Sequence, residues 1–329
     1  MKKDNRFKNS LIMLIVTIAV LFVLNRILDD YKLRILNLCG IYITLGLSMN
    51  LINGFTGLFS LGHAGFMAIG AYTVAILTMP AHMKEMNFFM KPIMPFLANI
   101  EWSFLPALIM GGIMAGLFGF LIGAPVLRLT DDYLAIATLG FAEIIRVVFT
   151  NTQSITNGAL GLKGIPASTN IWWSWGVAII TILLMVFLIE GSYGKAFNAI
   201  REDEIAAQSM GINLFTHKVM SFTVGSFLAG IGGGLLAALL GTIDPNMFRI
   251  VLTFNILLIV VLGGLGSIKG SVVSAILVTI AMEALRFLDE SINLGFIELK
   301  GIAGMRMVVF SLILMGVVIF RKEGLLKEN

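Results

Sequence analysis

Apolar runs about twenty residues long, parted by short polar links, recur along almost the whole chain, and that is the length a helix needs to cross a bilayer. The runs cover 11–28, 33–52, 57–79, 103–127, 133–150, 171–189, 219–240, 250–266, 271–288 and 302–320. They predict ten transmembrane helices. The stretch 80–102 carries Pro80, Pro92 and Pro95 and predicts a loop with a short interfacial helix. Glycines crowd 57–79 and 250–266, so these two predict broken or re-entrant helices. A membrane admits such backbone only where protein or a cavity covers it.

The second half of the chain has one long polar interruption, 191–218, reading GSYGKAFNAIREDEIAAQSMGINLFTHK. From Lys195 to Met210 it holds no Gly or Pro, and Phe197, Ile200, Ala207 and Met210 recur at steps of three and seven. That spacing predicts one amphipathic helix with a narrow apolar stripe. Arg201, Glu202, Asp203 and Glu204 fill much of the remaining face, and Gly211 stands where a left-handed cap belongs. Such a helix either docks onto a partner outside the bilayer or rests on the membrane surface or on its own protein.

Composition settles the class. Hydrophobic residues make up 58% of the 329 positions, and the mean hydropathy is +0.95. Charged residues are 13%, about half the roughly 25% of soluble domains. The polar shell of a soluble core is missing. The chain reads as an all-α integral membrane protein, a polytopic bundle of about ten transmembrane helices in a single domain over 1–329. The net charge of +4 comes from Lys and Arg scattered over segment ends, which excludes a nucleic-acid surface. A single cysteine, Cys39, rules out a disulfide framework or a thiolate metal site. His63, His82 and His217 form no ligand motif.

Enzyme signatures are absent too. The run GGLGSIKGS at 263–271 looks like a phosphate loop but fails, because Ile268 precedes Lys269 and Gly270 follows it. Its glycines instead suit close helix approach. This leaves no nucleotide or cofactor site in the chain, and an ATP-driven function must borrow an ATPase. With ten spans both termini share one side. The tails and loops of that side hold more Lys and Arg than the opposite loops, so both ends and 191–218 are expected in the cytoplasm. The first run follows a Lys-rich start and shows no small-residue cleavage pattern, which predicts a retained anchor.

Polar groups inside the runs are the remaining candidates. Glu143 and Arg146 lie three apart on one helix and can pair, as can Glu283 and Arg286. Ionisable groups at membrane depth face a bundle interior or a watery cavity. Glu143 and Arg146 therefore either flank a transport path or form a neutralised packing pair, while Glu283 and Arg286 read as packing. Asn50, Asn53, Ser60 and His63 surround the junction of the second and third runs, thinned by Gly54, Gly57, Gly62, Gly65 and Gly70. They place polar groups inward, as path residues or as packed hydrogen-bonding ones.

Five blocks in the same order carry a family resemblance. They are LGLSMNLINGFTGLFSLGHAGFMAIGAY, GAPVLRLTDDYLAIATLGFAEIIRVV, TNGALGLKGIP, GKAFNAIREDEIAAQSMGIN and VVLGGLGSIKGSVVSAIL. Over most of the chain it resembles the LivM-type permease subunits of ATP-binding-cassette importers for branched-chain amino acids. The resemblance implies a prokaryotic cell-membrane protein, surrounded by lipid, that pairs with a second homologous permease and two ATPase subunits. ATP and Mg would be bound by those ATPase subunits, and a separate extracytoplasmic binding protein would deliver the amino acid. It also implies that 191–218 is the coupling loop, with Gly194, Arg201, Glu202, Asp203, Glu204, Ala206, Ala207 and Gly211 as its matching residues. Ala206, Ala207 and Gly211 match the Ala-Ala-three-residues-Gly core, while Ile205 stands where a Glu is usual. Asn50, Ser60, His63, Glu143 and Arg146 are the candidates for the translocation path. The alternatives are an importer of the same class for urea, amides or sugars, and a self-sufficient secondary carrier. A carrier needs a coupling-ion site, and Arg146 beside Glu143 would hold that carboxylate ionised.

Overall fold

Leu214–Leu240 is the longest helix among the described residues and packs chiefly against three others that share its glycine-rich faces. The computed structural model describes residues 18–129 and 131–288, with 292–293, 298–299, 304–305, 308–309, 311–312 and 315. In chain order the helices are α1 (Ile18–Ile27), α2 (Asp30–Asn50), α3 (His63–Thr78), α4 (Ala81–Asn87) and α5 (Pro95–Ala98). Then follow α6 (Phe104–Val126), α7 (Asp131–Asn151), α8 (Gln153–Thr156), α9 (Ile171–Glu190) and α10 (Ser192–Glu202). Next come α11 (Glu204–Ser209), α12 (Leu214–Leu240), α13 (Ile250–Gly263) and α14 (Ile268–Ala284), and the described residues 305, 308–309, 311–312 and 315 are helical as well. A two-residue ribbon pairs β1 (Leu162–Lys163) antiparallel with β2 (Thr242–Ile243).

Five described helices are long and apolar enough to cross a membrane: Asp30–Phe55, Phe104–Val126, Tyr133–Asn151, Ile171–Glu190 and Leu214–Leu240. Ile18–Ile27, His63–Thr78 and Ile250–Gly263 are apolar but shorter. The start of the first expected run and most of the tenth, 302–320, lie outside the described residues. Each glycine-rich run holds one unbroken helix, not the broken or re-entrant one expected, and its irregular backbone lies at one end. The end of α2 widens into a π-turn over Leu51–Phe55, Gly57 takes φ +75°, and helix resumes only at His63. Likewise α13 stops where Gly264 and Gly266 take φ +101° and +81°. These values lie in the region open to glycine at no steric cost.

The centre is held by backbone contact. A Cβ on Gly70 of α3 would lie 2.0 Å from the Gly230 carbonyl of α12, and one on Gly233 would lie 2.1 Å from the Met67 carbonyl. No larger residue fits, so helices approach as membrane helices with small-residue faces do. α7 is the opposite case. Only 22% of its apolar window is buried, against 78% for α2 with its π-turn.

The expected loop 80–102 contains two short helices, α4 and α5, clamped by Lys84. This side chain is 1% exposed and donates to the carbonyls of Leu97, at 2.9 Å, and Ile100. Burial lowers the Lys84 pKa from its ordinary value, partly offset by the charge of Glu101. Asn87 then ties α4 to the ribbon, exchanging two 2.8 Å hydrogen bonds with the backbone of Lys163.

Candidate functional site

The polar residues at the α2–α3 junction are brought together, and each is engaged. Asn50 is fully buried. Its amide nitrogen donates to the Ser267 carbonyl at 3.0 Å and the Ser271 hydroxyl at 2.8 Å, and its oxygen accepts from the Gly266 N–H at 2.9 Å. One side chain thus joins the end of α2 to the α13–α14 turn across more than 200 residues of sequence. Asn53 pairs with the backbone of Ser60 in both directions, at 3.2 and 3.4 Å. The Ser48 hydroxyl donates to the Leu45 carbonyl at 2.7 Å and lies 2.8 Å from Nε2 of His63. Ser60 and His63 are 3% and 2% exposed.

At the start of α3 the Gly62 N–H finds the Ser60 hydroxyl at 3.4 Å, while those of Leu61 and Ala64 have no local side-chain acceptor. They are met from other helices instead. Thr138 of α7 accepts from the Leu61 N–H and Thr253 of α13 accepts from the Ala64 N–H, both at 3.0 Å. An irregular helix start inside a membrane protein needs such partners, because no water supplies them.

The expected single helix over 195–210 is a break between two. Asp203 sits at φ −159°, ψ 112°, ends α10 and caps α11 by accepting from the N–H groups of Ile205 and Ala206 at 2.8 and 2.9 Å. An aspartate that satisfies the next two N–H groups competes with the helical ladder and wins here. The apolar stripe divides accordingly. Phe197, Ile200 and Ala207 are buried against their own protein, whereas Met210 is 84% and Ile205 79% exposed. Glu204 pairs with Lys218, Glu202 with Arg201 at 2.9 Å, and Ala206 is exposed. Gly194 is needed for packing, since a Cβ there would lie 2.0 Å from the Ile189 carbonyl at the end of α9. Gly211 takes the expected left-handed backbone, φ +85°.

A third cluster gathers on the half-exposed side of α7. Nε of Arg146 donates to both Glu143 oxygens at 2.9 and 3.0 Å, and Nη1 reaches Asn246 at 3.4 Å. Arg249 donates to the same Asn246 oxygen at 3.1 Å. The Glu143 side chain is 51% exposed and that of Arg146 19%. The other sequence pair, Glu283 and Arg286, closes at 3.1 Å, and Glu283 also accepts from Tyr31 at 2.6 Å.

Residues 31–320 match the family described as "Branched-chain amino acid transport system / permease component". This chain belongs to that family. It is 35% identical over 312 residues to the high-affinity branched-chain amino acid transport system permease protein LivM of Escherichia coli (strain K12), covering 84% of this chain and 68% of that protein. The same-named protein of Salmonella typhimurium (strain LT2) is 35% identical over 284 residues, covering 76% of this chain and 62% of that protein. The chain therefore spans about two thirds of the length of these two relatives. The permease protein LivH of Escherichia coli (strain K12) is 23% identical over 260 residues, covering 73% of this chain and 80% of that protein.

Family membership and the apolar helices together make the chain a multi-pass membrane protein of the permease class. Within this permease, sequence reasoning missed Ser48, Thr138, Thr253, Ser267, Ser271, Asn246 and Lys218 as partners of the named candidates. Ser and Thr are common in apolar helices, where they usually bond their own preceding turn. The signal available was local: Ser267 stands three residues before Gly270, whose N–H it caps at 3.0 Å.

Proposed function

We propose that this chain is the transmembrane permease subunit of an ATP-binding-cassette importer and forms half of the translocation path for branched-chain amino acids. The other half comes from a second homologous permease. Two ATPase subunits on the cytoplasmic side bind ATP and Mg, and an extracytoplasmic binding protein supplies the amino acid. The family match over 31–320 carries this reading. The shape of 191–218 supports it, because α11 presents Ile205 and Met210 outward from an otherwise polar segment whose carboxylates are engaged internally. Purification through a tag on this chain from native membranes is expected to bring the second permease and the ATPase subunits with it. Amino-acid accumulation by the reconstituted chain alone would establish a secondary carrier instead.

The proposed topology has ten spans, both ends cytoplasmic, and α4, α5 and β1 outside. Cysteines at the exposed Lys91 and Lys163, in a Cys39→Ala background, should react with an impermeant thiol reagent added to intact cells. A cysteine at Ile205 should react only after the membrane is opened. External labelling of position 205 would invert the orientation.

We assign Glu143 and Arg146 to the path. A charged pair with a half-exposed carboxylate on a spanning helix is costly against lipid, so a second permease or an aqueous path is its natural cover. Glu143→Gln is therefore expected to accumulate in the membrane near the wild-type level but to cut uptake about tenfold, the effect of losing one charge-assisted hydrogen bond. Uptake at the wild-type rate would remove the pair from the path. Arg146 also argues against proton coupling, since it occupies both Glu143 oxygens.

A further inference from the structure

Arg201 lies where the segment 191–218 meets both irregular junctions. Its Nη1 donates to the Gly54 carbonyl in the π-turn at 3.0 Å. Its stem lies on Gly57, where a Cβ would come within 2.8 Å of Cγ and 3.2 Å of Cα. A Cβ on Gly266, in the α13–α14 turn, would lie 2.5 Å from Nη1. A Cβ on Gly54 would in turn lie 2.5 Å from the Gly266 nitrogen. Gly57 and Gly266 both take positive φ, a backbone that favours glycine, and a side chain at Gly266 would have to displace the Arg201 tip. Asn50 closes the same assembly from the α2 side through Gly266, Ser267 and Ser271.

We propose that Arg201 is a positioning residue through which α10 moves the π-turn of α2 and the α13–α14 turn as one unit, so that ATPase motion reaches the buried ends of the spanning helices. The proposal rests on the importer reading. The guanidinium is suited to the task because it is always charged and offers several donors in a rigid plane. Glu202, paired at 2.9 Å, balances its charge from the solvent side. Displacement of α10 therefore acts on Gly54 directly, and through the Asn50 clasp on the start of α14. The α2 end carries Ser48 and thereby His63 at the start of α3, so α2, α3 and α14 are linked through adjoining contacts.

The test uses the complete transporter in proteoliposomes with its binding protein, and reads amino acid taken up per ATP hydrolysed for each assembled complex. Arg201→Met keeps the stem on Gly57 and removes the donors, while Arg201→Lys keeps one. Uptake per ATP should fall about tenfold in Arg201→Met, the fold-change expected for one charged hydrogen bond, and less in Arg201→Lys. Gly266→Ala should reproduce the loss by displacing Nη1, and the double variant should fall no further than the worse single one, because both act on one contact. A staple that only holds the fold together would lower the yield of complex and leave the ratio alone. A ratio within about twofold of wild type in Arg201→Met and Gly266→Ala, well below the loss that a charged hydrogen bond predicts, overturns the proposal. Should Arg201→Met fail to assemble, Arg201→Lys and Gly266→Ala decide by the same ratio. A wild-type complex without ATP-dependent uptake would overturn the importer reading instead.

Discussion

Replacing Ile205 and Met210 together by Asp is expected, on the importer reading proposed above, to strip the ATPase subunits from a permease that still folds. Both side chains are more than three quarters exposed in the isolated chain, at 79% and 84%. The described fold leaves both largely uncovered. Burying an apolar side chain of this size is worth about 1.5–3 kcal/mol, so losing two anchors would weaken the interface by at least a hundredfold. Ala207→Trp is expected to behave differently. Ala207 is 3% exposed and faces its own protein, so a large side chain would overpack the seat of α11, at about 1–3 kcal/mol, and lower the permease's own stability. Gly211→Val belongs with it, since φ +85° is strained for a β-branched residue although the space around it is open. Co-purification against thermal stability in detergent separates the two classes. Full ATPase recovery with the double Asp variant would take Ile205 and Met210 out of the contact.

Gly70→Val should prevent accumulation of the folded protein. At this crossing α3 and α12 touch backbone to backbone, and the first added carbon would lie 2.0 Å from the Gly230 carbonyl. Backbone cannot yield as a flexible side chain can, so the helices must separate along the whole contact. The cost should exceed the roughly 1–3 kcal/mol of ordinary overpacking. Gly233→Val should fail in the same way against the Met67 carbonyl at 2.1 Å. Gly176→Ala in α9 is the control: nothing lies within 4 Å of its Cβ position, and Ala is the better helix former by up to about 1 kcal/mol. Equal yields of Gly70→Val and Gly176→Ala in membranes would show that the α3–α12 contact is looser than described.

Much of this was legible from the residues alone. Helix type, the irregular glycine backbone at Gly57, Gly264 and Gly266, the pairing of Glu143 with Arg146 and the left-handed cap at Gly211 all follow from local rules of length, spacing and backbone freedom. Those rules act within a few residues, so one sequence suffices to read them. The break at Asp203 was also local. An aspartate can either continue an amphipathic helix or cap a new one, and periodicity alone favoured the first.

What the tertiary structure decided is which groups meet. Asn50 and Ser271 are 221 positions apart, and Arg201 and Gly54 147. No spacing rule connects them, because the contact depends on how whole helices stack. The same holds for the faces of 191–218. Amphipathicity showed that one side was apolar, but only packing turned Phe197, Ile200 and Ala207 inward and left Ile205 and Met210 outside. By itself the sequence determined a polytopic helical membrane protein with irregular glycine-rich junctions, since bilayer thickness and backbone hydrogen bonding allow little else for such composition. The tertiary structure decided that its irregular junctions lie against one another and against the segment 191–218, because glycine leaves room there for a carbonyl, an amide and a guanidinium to meet.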